Sequence, residues 1–168
     1  MTSTISVRVL GPADAVAARD LRLEGLRTTP ENFGSSWEEE AVHPLAWWED
    51  RLRGPGRWLG AESGKELVGL TVVSLNPRMK LAHNADIGAV FVRGTFRQRG
   101  VGAALMQSAM EFLREKRIAY ATLTVSAENV AAQRLYARFG FTVCGQLERG
   151  LCVHNRFYDE LLMRTRIA

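Results

Sequence analysis

Apolar and polar side chains alternate from Ile5 to Val9, the two-residue period of a strand with one buried face. Gly11-Pro12-Ala13-Asp14 follows, with proline early and an acid in the first turn, and predicts a helix from about Pro12 to Arg27. Thr28 to Ser36 is crowded with turn formers. A second helix is predicted from Trp37 to Leu52, where Trp48 and Leu52 stand one turn apart. Arg57 to Glu62 and Leu67 to Leu75 read as a hairpin around Ser63-Gly64-Lys65, the β-branched Thr71 and Val73 favouring extended chain.

Asp86 to Val92 predicts another strand. It is followed by a basic, glycine-containing loop and a helix whose apolar stripe is Val101, Leu105, Ala109, Phe112 and Leu113. Tyr120 to Ser126 is a strand, and Asn129 is the N-cap of a short helix ending at Phe139, with Gly140 at the position after the cap. Phe141 to Gly145 and Arg156 to Thr165 then read as closing strands. No repeat, low-complexity tract or linker interrupts this order, so the pattern predicts one α/β domain spanning residues 1–168. The length and 46% hydrophobic content supply one substantial core.

The formal charge of +4 is carried mostly by arginine, since lysine occurs only at Lys65, Lys80 and Lys116. Arginine suits bidentate phosphate contacts. No basic run interleaved with aromatics occurs, so nucleic acid is not an expected partner. Cys144 and Cys152 lack metal or redox spacing, and His43, His83 and His154 are scattered, so neither a disulfide framework nor a metal is expected. The N-terminal stretch meets Gly, Pro and Asp before a signal core could form, and no apolar run approaches a membrane span; a cytoplasmic protein with no membrane partner is expected.

The loop Arg97-Gln98-Arg99-Gly100-Val101-Gly102-Ala103 is the informative segment. It places positive charge and glycine at a helix start whose first N–H groups are unpaired, which is what a bound phosphate needs. A Walker loop fails here because no Gly-Lys-Ser/Thr follows, and a dinucleotide fingerprint fails because Leu105 stands at the third glycine position.

What remains is Arg-x-x-Gly-x-Gly after a strand ending Val90-Phe91-Val92, and here the chain resembles the GNAT acetyltransferase superfamily. Asn129-x-x-Ala132-x-x-Leu135-Tyr136 through Gly140-Phe141 resembles that family's second signature, in the family's order and spacing. Leu21 to Glu24, Pro30 to Glu40 and Tyr158 to Met163 resemble family segments too, so the likeness covers nearly the whole chain. The resemblance implies a mixed, mostly antiparallel central sheet flanked by helices. It implies acetyl-CoA as the acetyl donor, contacted by Val90, Phe91, Val92, by Arg97 to Ala103 and by Asn129, Ala132 and Tyr136. It also implies transfer by direct attack of a primary amine in a ternary complex, and homodimers are common in the family.

Tyr136 matches the tyrosine that often protonates the departing coenzyme A thiolate. A phenol of pKa ~10 can serve a thiolate whose acid titrates near ~8.5 only if it is held in place. The amine has to attack as a free base. Asp86, Glu38, Glu39 and Glu40 are the candidate bases, with His154 behind them. Phe33, Trp37, Trp47 and Trp48 gather near the segment that walls the acceptor site in this family, where they either select the acceptor or pack the helices. The acceptor is left open between a small-molecule amine and a protein N-terminus or lysine. Two other classes are compatible: a silent acyl-CoA-binding module, and a nucleic-acid binder using Arg93, Arg97 and Arg99.

Overall fold

The computed structural model describes residues 4–167; Met1 to Ser3 and Ala168 of the expected domain lie outside them. The strands are β1 (Ile5–Val9), β2 (Arg57–Ser63), β3 (Glu66–Leu75), β4 (Asn84–Val92), β5 (Tyr120–Ser126), β6 (Thr142–Val153) and β7 (Arg156–Arg166). The helices are α1 (Ala15–Thr28), α2 (Trp37–Ala41), α3 (Leu45–Arg53), α4 (Val101–Glu115) and α5 (Val130–Ala137). All strands join one seven-stranded sheet in the order β1-β2-β3-β4-β5-β7-β6. Every pairing is antiparallel except β4 with β5.

Helices cover both faces. The stripe predicted on α4 is buried throughout, with Met106 and Met110 beside it, against Val68, Val73, Ile87 and Leu123 of the sheet. Ala15, Ala18, Leu21 and Leu26 of α1 pack with Trp48 and Leu52 of α3 on Trp58, Leu70 and Phe91. A Leu21 or Leu105 side chain in such a layer contributes about 1.5–3 kcal/mol by burial alone.

Two predicted elements differ from the structure. The helix expected from Trp37 to Leu52 is broken into α2 and α3 at Val42-His43-Pro44, because proline cannot donate into a helix and disfavours helical geometry at His43. Ser36 starts α2 with a capping box, its Oγ accepting from Glu39 N–H at 3.2 Å while its own N–H donates to Glu39 Oε2 at 2.7 Å. The strand expected to stop at Gly145 runs on to Val153. Its polar residues Glu148 and Arg149 with Gly150 form a bulge that hides the alternation.

A second bulge shapes the centre of the sheet. Leu70 pairs with Phe91 and Val72 with Gly88, so Ala89 and Val90 together oppose the single residue Thr71. Ala89 adopts φ +53°, and Thr71 Oγ1 donates to the Gly88 carbonyl at 2.9 Å. Such a bulge bends its strand. β4 pairs with β5 only from Asn84 to Asp86, and the two strands then part.

Candidate active site

The opening between the parted strands is a cleft of about 530 Å³. Ile87 to Val92 of β4 form one wall and Thr124 to Ser126 of β5 the other. Arg97, Gln98 and Gly100 to Ala103 close one end, α5 lies along a side, and Thr29, Asn32 and Phe33 close the other end.

The loop before α4 turns through two left-handed residues, Gln98 at φ +59° and Gly100 at φ +80°. Gly100 is needed there for its backbone, since a Cβ would meet nothing within 4 Å. Ala104 N–H makes the first helical bond, to Gly100 O at 2.9 Å. The N–H groups of Val101, Gly102 and Ala103 therefore have no partner among the described residues, and they sit at the positive end of a four-turn helix. Gly102 serves proximity: a Cβ there would stand 3.0 Å from Leu135 Cδ2 of α5. This leaves a cradle of free donors open to the cleft.

Charge favours the same occupant. Arg97, Arg134 and Arg138 line the cleft, and among the described residues no Asp, Glu or His does. A polyanion gains from such a lining, while the bare site repels cations. Arg97 is steered by its Nε, which donates to Val92 O at 3.0 Å. Arg134 and Arg138 were not picked out from sequence, although their spacing of four on a helix following Asn129 puts them on one face.

Asn129 caps α5 by accepting from Ala132 N–H at 3.1 Å, and its Nδ2 donates to Asn32 Oδ1 at 3.1 Å. One amide thus starts the helix and ties down the far end of the cleft. Tyr136, only 6% exposed, packs on Phe141 and borders the cleft. Burial pushes its phenol up to about 12.

Most of the expected cofactor residues line the cleft: Val90, Phe91, Val92, Arg97, Gln98, Gly100, Val101, Gly102, Ala103, Asn129, Ala132 and Tyr136. Arg99 does not, and lies over Phe96 with 5.4 Å between Cζ and the ring centre. Arg93 is engaged by Glu24, with Nη2 to Oε2 at 2.9 Å, and by Glu66, which removes it from the arginine surface that the nucleic-acid alternative needed.

The expected bases are placed elsewhere. Glu38 is exposed on α2, Glu39 completes the capping box, and Glu40 is buried in an ion pair with Arg22 at 2.7 Å. Burial pushes the Glu40 carboxyl up, but the hydrogen bonds and charge of Arg22 outweigh it and hold it below the usual range. Asp86 is exposed and accepts from Thr122 Oγ1 at 2.5 Å; His154 is exposed in the turn between β6 and β7. None of these lines the cleft.

Of Phe33, Trp37, Trp47 and Trp48, Phe33 alone lines the cleft. Trp48 is core, Trp47 stacks on His43 at 4.0 Å, and Trp37 lies under Arg27. No helix of the described residues is long and apolar enough to cross a membrane.

The family described as "Acetyltransferase (GNAT) family" matches residues 22–141. The L-amino acid N-acetyltransferase AaaT of Escherichia coli (strain K12) is 30% identical over 122 residues, which is 69% of this chain and 73% of that protein. A solved GNAT-family acetyltransferase from Streptococcus pneumoniae superposes with a TM-score of 0.86 at 24% identity, covering 98% of this chain and 100% of that one. The yncA structure from Salmonella typhimurium, solved with its cofactor acetyl-CoA, has a TM-score of 0.82 at 19% identity, covering 99% and 95%.

Proposed function

The chain belongs to the acetyltransferase (GNAT) family and is an N-acetyltransferase that uses acetyl-CoA, and from that premise we propose that it acetylates the α-amino group of an amino acid by direct attack in a ternary complex. The observation that carries this reading is the cleft between β4 and β5, with free helix N–H groups at one end and Phe33 and Asn32 at the other. For the acceptor, the support is the likeness to the L-amino acid N-acetyltransferase across most of both chains.

Acetyl-CoA supplies an acetyl group activated as a thioester. In our reading, the N–H groups of Val101, Gly102 and Ala103 hold its pyrophosphate, with Arg97, Arg134 and Arg138 balancing the phosphate charge. The free edge of β4 from Val90 to Val92 pairs with the pantetheine arm as an added strand would. Tyr136 gives a proton to the sulfur as the C–S bond breaks. At about 12, a value set by burial, the phenol is protonated at neutral pH, as a donor must be.

We further propose that the chain acts in the cytoplasm as one acetyltransferase domain, and as a homodimer through its C-terminal hairpin, where Val143, Leu147 and Phe157 are exposed. Thiol release from acetyl-CoA against amino acids, polyamines, aminoglycosides and peptides tests the function. Release is expected with free amino acids. Acetyl-CoA binding without release for any amine would identify a silent binding module instead.

A further inference from the structure

An amine enters the cleft as an ammonium, and the cleft walls hold no Asp, Glu or His to take its proton. A sheet carboxylate that takes that proton has to stand just behind a wall. Two strand carboxylates stand next to lining residues. Asp86 precedes Gly88 by two residues on β4, but its Oδ1 already accepts from Thr122 at 2.5 Å. Glu160 stands on β7, beside Ser126 in the β5–β7 ladder and beside Leu147 in the β6–β7 ladder. Ser126 lines the cleft, and cross-strand partners share a face with Cβ atoms about 5 Å apart.

The surroundings leave the Glu160 carboxylate free. The turn Pro30–Asn32, whose Asn32 lines the cleft, packs on both β5 and β6, the strands that flank β7. Gly150 gives the carboxylate room, since a Cβ at that position would lie 2.7 Å from Glu160 Oε2. The bulge carrying Gly150 is fixed by Asp159, which accepts from Arg149 N–H at 2.8 Å and from Gln146 Nε2 at 3.0 Å. The charged side chains of the neighbouring elements are Glu31, Glu128, Glu148, Arg149 and Arg156. Arg149 lies over Phe157 and Arg156 pairs with Glu128, so among the described residues no cation or donor engages Glu160.

Resting on the proposed acetyl transfer, we infer that Glu160 receives the proton of the incoming ammonium, directly or through one water, and passes it to solvent. The freed nitrogen then forms the C–N bond and loses its second proton to solvent. The C–S bond breaks, the sulfur takes the Tyr136 proton, and Tyr136 regains one from solvent. One proton is released per turnover. Burial raises the Glu160 carboxyl above the usual range, which brings it closer to the ammonium it must deprotonate than a solvated acid would be.

The test compares Glu160→Gln and Asp86→Asn with the unaltered chain, using acetyl-CoA and each proteinogenic L-amino acid between pH 7 and about 9.5. Glu160→Gln should lower kcat about 10²-fold at pH 7, with a deficit that shrinks below about 10-fold at the alkaline end, where more of the amine is already free. Acetyl-CoA affinity should be unchanged. A deficit equal at every pH, no deficit, or the pH-dependent loss in Asp86→Asn alone would overturn the assignment. If the unaltered chain acetylates no amino acid, the acceptor class is wrong, and the same ratio is read with spermidine and a lysine peptide.

Discussion

Arg22 donates from Nε to Glu40 Oε2 at 3.0 Å and from Nη2 to Oε1 at 2.7 Å, and both residues are buried. The pair locks α1 to α2, and the guanidinium also stacks 4.8 Å from the ring centre of Phe33, a cleft residue. Removing one partner of a buried pair strands the other charge. Glu40→Gln should therefore cost about 3–5 kcal/mol in urea unfolding, whereas the apolar double replacement Arg22→Met with Glu40→Leu should come within about 2 kcal/mol of the unaltered chain. Because the folded Glu40 titrates below its unfolded value, its contribution is full above the ordinary carboxyl pKa and is lost as pH falls through the lower folded one.

The two glycines at the start of α4 act differently, and alanine separates them. Gly100→Ala meets no neighbour but forces a Cβ into φ +80°, at a cost of roughly 1–2 kcal/mol. Gly102→Ala presses on the flexible end of Leu135, a smaller cost, whereas Gly102→Glu adds bulk and negative charge at the free N–H groups. Calorimetry should find acetyl-CoA binding reduced more than about 100-fold by Gly102→Glu and far less by Gly102→Ala. Equal losses would mean that only space matters there.

Asn129→Ala removes a cap and the tie to Asn32 together. The cap loss of about 1 kcal/mol should lower Tm by about 2–4 °C. A rise in the acceptor KM beyond any change in acetyl-CoA affinity is expected as well, because Asn32 borders the end of the cleft assigned to the acceptor. A melting shift with unchanged kinetics would leave Asn129 as a cap alone.

Tyr136→Phe keeps the ring against Phe141 and deletes one proton. Acetyl-CoA affinity should stay constant while kcat falls about 10²-fold, equivalent to roughly 3 kcal/mol of barrier. With the phenol at about 12, a rate loss caused by its ionisation belongs near pH 12 and not near the ordinary value of ~10. An alkaline limb near 10 that persists in the Phe variant would come from another group.

Local signals made much of this fold legible. The alternation at Ile5–Val9, the stripe on α4 and the Asn129 cap each appear where the side chains predict them. The part of the cleft lined by Arg97, Gln98 and Gly100 to Ala103 was visible for the same reason, since it is one contiguous segment in which Gly100 has a backbone purpose. The acceptor end was not. The lining there joins Asn32 and Phe33 to Ser126, which are far apart in sequence and come together only in the fold. Pro44 did carry a signal that could have divided the second helix. The Gly150 bulge carried none, because its shape depends on Asp159 across the ladder.

A crystal structure of the chain with coenzyme A measures most directly where the cofactor sits. Pyrophosphate oxygens are expected about 3 Å from the N–H groups of Val101, Gly102 and Ala103, with the pantetheine arm along Val90 to Val92 and the sulfur beside Tyr136. Phosphates bound away from the N-terminus of α4, or an arm that leaves the edge of β4 unpaired, would contradict it.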